Sequence, residues 1–257
     1  MDYVVCAHKA IDQDEVAAEL VSVVEPIRTT IVLIQNGVGN EEPFRKQFPQ
    51  NSIISCVTKS KQTWVGALQT SPGVIKHIKS EDLQLGLFSN KQLDGAIEKQ
   101  YLDTFTELLQ HGRASFHVFA NIQQQRWEKV VWNAAWNSLT TLTMLDTRAW
   151  LNSSPDAEPL SRSIMREMIT IGRACGVPLA DDLVDRFMER INALPAIGTS
   201  MQTDCKSGRP MEIDVILGFP VRKARELRIS VPYVEAVYVI LKAVDCRLRA
   251  TLEDWEE

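Results

Sequence analysis

Within the stretch Arg126 to Asn137, RWEKVVWNAAWN, Lys129, Asn133 and Asn137 recur at every fourth residue. On a helix of ~3.6 residues per turn, each step of four lands about 40° round from the last, so all three side chains leave from one face. One ammonium and two amides on a shared face suit a small anionic keto acid. The ammonium can give a proton, and the amides can hold oxygens. A solvated Lys/Asn stripe is the competing reading, and spacing alone does not separate the two. Trp127, Val130, Val131 and Trp136 fall largely elsewhere and are expected to anchor the helix in a core.

Two further candidates follow strand-like runs near the start of the chain. Lys9 comes just after Tyr3 to Ala7 (YVVCA), and the turn Gln35-Asn36-Gly37-Val38-Gly39 comes after Thr30 to Ile34. Open α/β sheets bind ligands beyond the carboxyl ends of their strands, so both are placed for ligand contact. Asn36-Gly37 is equally a common turn dipeptide, and a tight turn alone would explain it. His8 reads as a surface histidine, while His77, His111 and His117 have neither metal-ligand nor triad spacing; no metal site is expected. The second half has no histidine, which leaves Lys129 or a carboxylate for proton transfer there. Glu212 is the carboxylate of choice. It is expected to open a helix after Pro210, where the helix N-terminus favours negative charge, although an ordinary first-turn glutamate is the simpler explanation. Ser200 and Asp204 likewise fit a helix cap and a first-turn acid.

Elements that could position these residues can be read in order. Strand-like runs at Tyr3–Ala7, Thr30–Ile34, Ser52–Thr58, Leu83–Phe88 and Ser115–Phe119 alternate with helical patterns at Asp12–Val24, Glu41–Phe48 and a helix ending near Leu109. Val65–Leu68 and Val74–Ile78 read as a strand pair around Ser71-Pro72-Gly73. This alternation predicts an α/β half with a mostly parallel, partial Rossmann-like sheet. From Gln123 the strand signals vanish. Leu160, Ile164, Met168, Ile171 and Cys175 form an apolar stripe that stops at Gly176 and Pro178, and Asp181–Leu194 and Pro232–Leu252 also read as helices. Two domains are expected, residues 1–121 and an all-α domain of residues 122–257.

Composition excludes several classes. With 45% hydrophobic and 24% charged residues, the chain has the profile of a globular protein with a substantial core. A net charge of −5 and no basic tract argue against a general nucleic-acid binder. No apolar run reaches the ~18 residues a membrane helix needs, and no leader pattern opens the chain, so a cytoplasmic protein is expected. Five scattered cysteines without a C-x-x-C pair fit free thiols in a reducing compartment.

Four stretches, DYVVCAHKA, QNGVG, WEKVVWNAAWN and SMQTDCKSGRPMEID, occur in that order and at sensible spacing. Together they resemble the ketopantoate reductase (2-dehydropantoate 2-reductase) family over almost the whole chain. The resemblance implies NADPH-dependent reduction of 2-dehydropantoate to pantoate, in pantothenate biosynthesis. It also implies a Rossmann-like NADP-binding half and a 6-phosphogluconate dehydrogenase-like helical half for substrate and catalysis. Lys129 would be the general acid, Asn133 and Asn137 the substrate-binding asparagines, and Ser200 the serine that helps to hold the substrate. Glu212 matches the carboxylate near the reacting centre and the cofactor, while Lys9, Asn36 and Ala67 match positions that contact NADP. The partner implied is a small keto acid, with no nucleic acid or membrane, and a homodimer is the assembly to test for.

The sequence departs from the family at several points. A strand, a G-x-G-x-x-G turn and a helix open the family's fold and receive the pyrophosphate; the nearest match here is Gly37-x-Gly39. A basic residue to read the 2′-phosphate is missing too. The chain is expected to begin near the family's fourth strand, without about the first 60 to 70 residues, which would expose an edge of Tyr3–Ala7 and weaken NADPH binding. Lys59 to Thr63 reads as an insertion between Thr58 and Trp64. Ile197 stands where some members carry a substrate-binding asparagine. A β-hydroxyacid dehydrogenase shares the Lys-x-x-x-Asn helix, but its glycine-rich lead-in is replaced here by Asn121-Ile122-Gln123-Gln124-Gln125. A truncated, non-catalytic relative or fragment is the alternative from another class.

Overall fold

Every residue of the run Thr30–Ile34, TIVLI, has a branched side chain, and Thr30 to Leu33 are fully buried. Burial on both faces is what an interior strand of a helix-covered parallel sheet requires. The structure, a computed structural model, describes residues 1–59, 67–71, 73–77 and 82–253. It divides into two units, Met1–Gln125 and Arg126–Glu257.

In the first unit the order is β1 (Tyr3–Cys6), α1 (Gln13–Glu19), β2 (Thr30–Ile34), α2 (Glu41–Gln47), β3 (Ile53–Lys59), β4 (Ala67–Ser71), β5 (Val74–His77), β6 (Asp82–Leu87), α3 (Gly95–His111) and β7 (Phe116–Val118). A five-stranded sheet runs β1-β2-β3-β6-β7. All its neighbours are parallel except β3 and β6, so the sheet is mostly parallel, as the α/β alternation predicts. Side chains alternate across it with the two-residue period of a strand. Ile31 and Leu33 join Ala17 of α1 and Phe44 of α2 on one face. Val32 joins Leu102 and Phe105 of α3 on the other. One edge strand is β1, where Val5 is half exposed, and β7 is the other. The expected strand pair is the antiparallel hairpin β4–β5, with Gly73 at φ 76° in its turn. Lys59 ends β3, and the rest of the inferred insertion lies outside the described residues.

The second unit is helical. After α4 (Ile122–Thr143), whose first turn belongs to the first unit, come α5 (Thr147–Leu151), α6 (Ala157–Ala174), α7 (Leu183–Ala193), α8 (Ser200–Lys206), a π-helical turn (Asp214–Gly218) continuing into α9 (Phe219–Glu226), and α10 (Pro232–Glu253). On α6, Ile164, Met168 and Ile171 are fully buried, but Cys175 is exposed. The stripe stops short there because Cys175 is already the C-cap, followed by Gly176 at φ 83°. A Cβ on Gly172 would lie 2.7 Å from Leu179 and 2.9 Å from Trp127, so the missing side chain lets α4 press against α6. Among the described residues no helix is long and apolar enough to cross a membrane, and all five cysteines are free.

Candidate active site

A single helix, α4, carries Lys129, Asn133 and Asn137. Trp127, Val130, Val131 and Trp136 are buried and fix the helix in the core of its unit. Asn133 and Asn137 are only 7% and 4% exposed, and Lys129 is half-buried. A solvated stripe would leave both amides in water. Trp132, next to Asn133, meets Phe187 edge-on at 5.4 Å, and the Arg190 guanidinium lies 5.3 Å from its ring centre. Burial lowers the Arg190 pKa from its ordinary value.

Just past Asn137, side chains fasten α8 to α4. Thr140 and Thr199 share a hydroxyl hydrogen bond of 2.9 Å, and the Gln202 amide donates to the Thr140 and Leu145 carbonyls, each at 2.9 Å. The start of α8, with Ser200 as its first and exposed residue, is thereby held one turn from Asn137. Thr199, not Ser200, caps α8, because its hydroxyl is the one that accepts from the Gln202 N–H. Nor is Asp204 a plain first-turn acid. It is buried and accepts from Arg209 Nε at 3.1 Å. Ile197 is held through its backbone to Thr147: its N–H donates to the Thr147 hydroxyl at 3.3 Å, and its carbonyl accepts from the Thr147 N–H at 3.0 Å.

Glu212 is buried, but it does not open a helix. The Met211 N–H before it donates to Asp245 at 3.0 Å and the Ile213 N–H after it donates to the Met211 carbonyl at 2.8 Å, a tight non-helical turn. Helical backbone starts at Ile213 and at once widens into the π turn, a form concentrated at functional sites. Arg222 grips Asp214 with two hydrogen bonds of 2.8 and 3.0 Å. A Cβ on Gly218 would lie 2.4 Å from Asp214 Oδ1, so a larger residue there would push the Asp214 carboxylate aside.

In the first unit, Lys9 and Asn36 follow the carboxyl ends of the adjacent parallel strands β1 and β2. Gly37 at φ 93° and Gly39 at φ 77° give the turn a path that other residues resist. Buried Asn40 donates to the Asn36 carbonyl at 2.7 Å. Buried Gln35 donates to the His8 carbonyl at 3.1 Å and accepts from the Gln13 amide at 2.8 Å, tying the two strand ends together. His8 is exposed, as expected. Glu41, next along, is buried and accepts from Ser55 at 2.6 Å and from Gln123 at 2.8 Å. Sequence reasoning gave no role to Gln13, Asn40 or Glu41, and Glu41 in a first turn looks like any surface acid. The backbone of Ala67 opens β4 opposite His77; its side chain lies outside the described residues. Among the described residues no three His, Cys, Asp or Glu side chains are grouped to hold a metal.

Residues 1–90 match the family described as Ketopantoate reductase PanE/ApbA, and residues 121–245 match its C-terminal part. Among solved structures, the chain is similar to 2-dehydropantoate 2-reductase from Methylococcus capsulatus: 32% identity, TM-score 0.80, covering 96% of this chain and 75% of that one. It is also similar to a dimeric ketopantoate reductase from Staphylococcus aureus, with 25% identity and TM-score 0.78 over 96% of this chain and 78% of that one. The 2-dehydropantoate 2-reductase of Nostoc sp. is 26% identical over 219 residues, 85% of this chain, and the chain spans 66% of that relative's length. With both halves matching one family in order, the chain belongs to the ketopantoate reductase family.

Proposed function

We propose that this chain serves an NADPH-dependent 2-dehydropantoate 2-reductase, reducing ketopantoate or a related 2-keto acid to the 2-hydroxy acid in cytoplasmic pantothenate biosynthesis. One observation carries the reading: two buried amides and a half-buried ammonium share one face of α4. A keto acid offers oxygens that both amides and the ammonium can hold. Residues 1–121 form the cofactor half and residues 122–257 the substrate half. Asn133, Asn137 and the Ser200 hydroxyl hold the substrate. Lys129 gives its proton to the carbonyl oxygen as that oxygen becomes an alkoxide, and its charge steadies the alkoxide before the transfer. Glu212 sits by the reacting centre and the cofactor.

The donor set of the first unit fits part of a dinucleotide. Lys9 offers a cation and Asn36 an amide, Ala67 lends backbone, and no side chain on Gly37 or Gly39 blocks close approach. Bound NADPH supplies the hydride. A homodimer is the proposed assembly, on the strength of the dimeric Staphylococcus aureus relative.

The test is NADPH consumption with ketopantoate by this chain and by a version extended upstream, each beside its Lys129→Ala variant. Loss of the lysine should cut turnover about 100-fold or more while NADPH affinity changes little. Consumption by neither version, or turnover that ignores the substitution, would overturn the reading.

A further inference from the structure

Glu212 lies in the stretch 208–212 between α8 and the π turn, where no regular helix satisfies the backbone. Buried backbone donors in such a stretch must find partners elsewhere. Two buried acids supply them. Asp204 accepts the Arg209 N–H on its backbone carbonyl at 2.9 Å and Arg209 Nε on its carboxylate at 3.1 Å, and the carboxylate of Asp245, from the middle of α10, accepts the Met211 N–H at 3.0 Å. Met211 is 2% exposed and Asp245 3%, so this hydrogen bond is out of water, where it is strong and its loss is costly. The other Asp245 oxygen accepts from Arg249 Nε at 2.8 Å, one turn along α10. The arginine balances the carboxylate's charge and sets its orientation.

We propose that Asp245 is a positioning residue for Glu212: it fixes the peptide that leads into Glu212 and so aims the buried Glu212 carboxylate. This rests on the role given to Glu212 in the proposed function. The chemistry calls for aspartate rather than asparagine, because two donors converge on one group. An asparagine would keep an acceptor for Met211 but turn its amide N–H toward Arg249 Nε. Without Asp245 the Met211 N–H would be buried and unsatisfied, and the peptide would rotate to find a partner, carrying the Glu212 side chain with it.

Two readouts test this together. The first is hydrogen exchange at the Met211 amide, which needs neither cofactor nor substrate. Asp245→Ala should speed it about 10-fold or more relative to amides in α6, and Asp245→Asn should recover part of the protection. The second is a double-mutant cycle with Glu212→Gln in the active form. Asp245→Ala alone should lower kcat about 10-fold, and in the Glu212→Gln background it should cost little more. Independent, multiplying losses would mean that Asp245 acts elsewhere and would overturn the proposal. So would a Met211 amide that exchanges freely in the unsubstituted chain, a result that stands even if Asp245→Ala does not fold. Unchanged turnover in Glu212→Gln would overturn the catalytic part of the reductase reading and this proposal with it. Met211 exchange tells that failure apart from failure of the hydrogen bond itself.

Discussion

The Asn36–Asn40 turn and the polar face of α4 both bury amide side chains, and they use them in opposite ways. In the turn, Asn40 donates to the Asn36 carbonyl and Gln35 to the His8 carbonyl; the amides complete a backbone that has no ladder of its own. In α4 the interior backbone groups already pair four residues apart, so the fold does not need Asn133 and Asn137 for that purpose. Buried amides that a helix does not need are available to a ligand. If Asn133 and Asn137 hold the substrate, as proposed, the same residue type is structural in a loop and functional on a helix, and what decides is whether the local backbone can satisfy itself.

Substitution can break this contrast. The largest effect beyond that of Lys129 is expected at Asn137. Asn137→Ala should lower turnover with ketopantoate about 10-fold or more, yet leave the melting temperature unchanged or raised, because alanine favours the helix and removes a polar group from a buried face. A clear fall in melting temperature with normal turnover would place Asn137 among the structural amides. Asn40→Ala is the mirror experiment. It should cost about 1 kcal/mol of stability, measured by denaturant titration, by removing the Asn40 amide's hydrogen bond to the Asn36 carbonyl. If stability holds while NADPH affinity alone falls, the amide in the turn serves the ligand and the contrast is lost.

How much of this was legible in the sequence follows from the same distinction. Thr30–Ile34 could be bounded to the residue, because a wholly branched run has one good use, a strand buried on both faces. The α4 face could be seen because helical spacing is regular, though its burial could not: a stripe of Lys and Asn has the same spacing wet or dry. The cap of α8 was misplaced by one residue, since Thr199 and Ser200 are both good caps and only the geometry selects the threonine. Glu41, Asp204 and Asp245 were hidden for a shared reason. Each looks like a solvated acid on its own element, and its partner stands on a distant part of the chain or across a turn that sequence does not measure. The π turn left no trace beyond Gly218, one glycine among twelve.

A carboxylate at a helix end gives the finest test of the contrast, because there a side chain does backbone work inside the helical unit. Glu167 of α6 accepts the Tyr233 N–H at 3.2 Å and the Val234 N–H at 2.8 Å, pairing two of the donors that the start of α10 leaves over. Burial raises its pKa above the ordinary carboxyl value, outweighing the two hydrogen bonds, which act the other way. The sign follows from proton counting. The folded chain holds this proton to a higher pH than the unfolded chain does. Its contribution to stability is therefore fully present below the unfolded pKa and is lost as pH rises through the raised one. Glu167→Gln removes that titration while keeping an acceptor oxygen for α10. The variant should thus gain on the parent chain as pH rises from below the ordinary carboxyl pKa to above the raised one, by an amount smaller than either amide effect and read as a shift in urea midpoint. A constant difference across that range would mean that solvent screens the Glu167 charge, and that the helix end, unlike the turn, meets its backbone demand at no electrostatic cost.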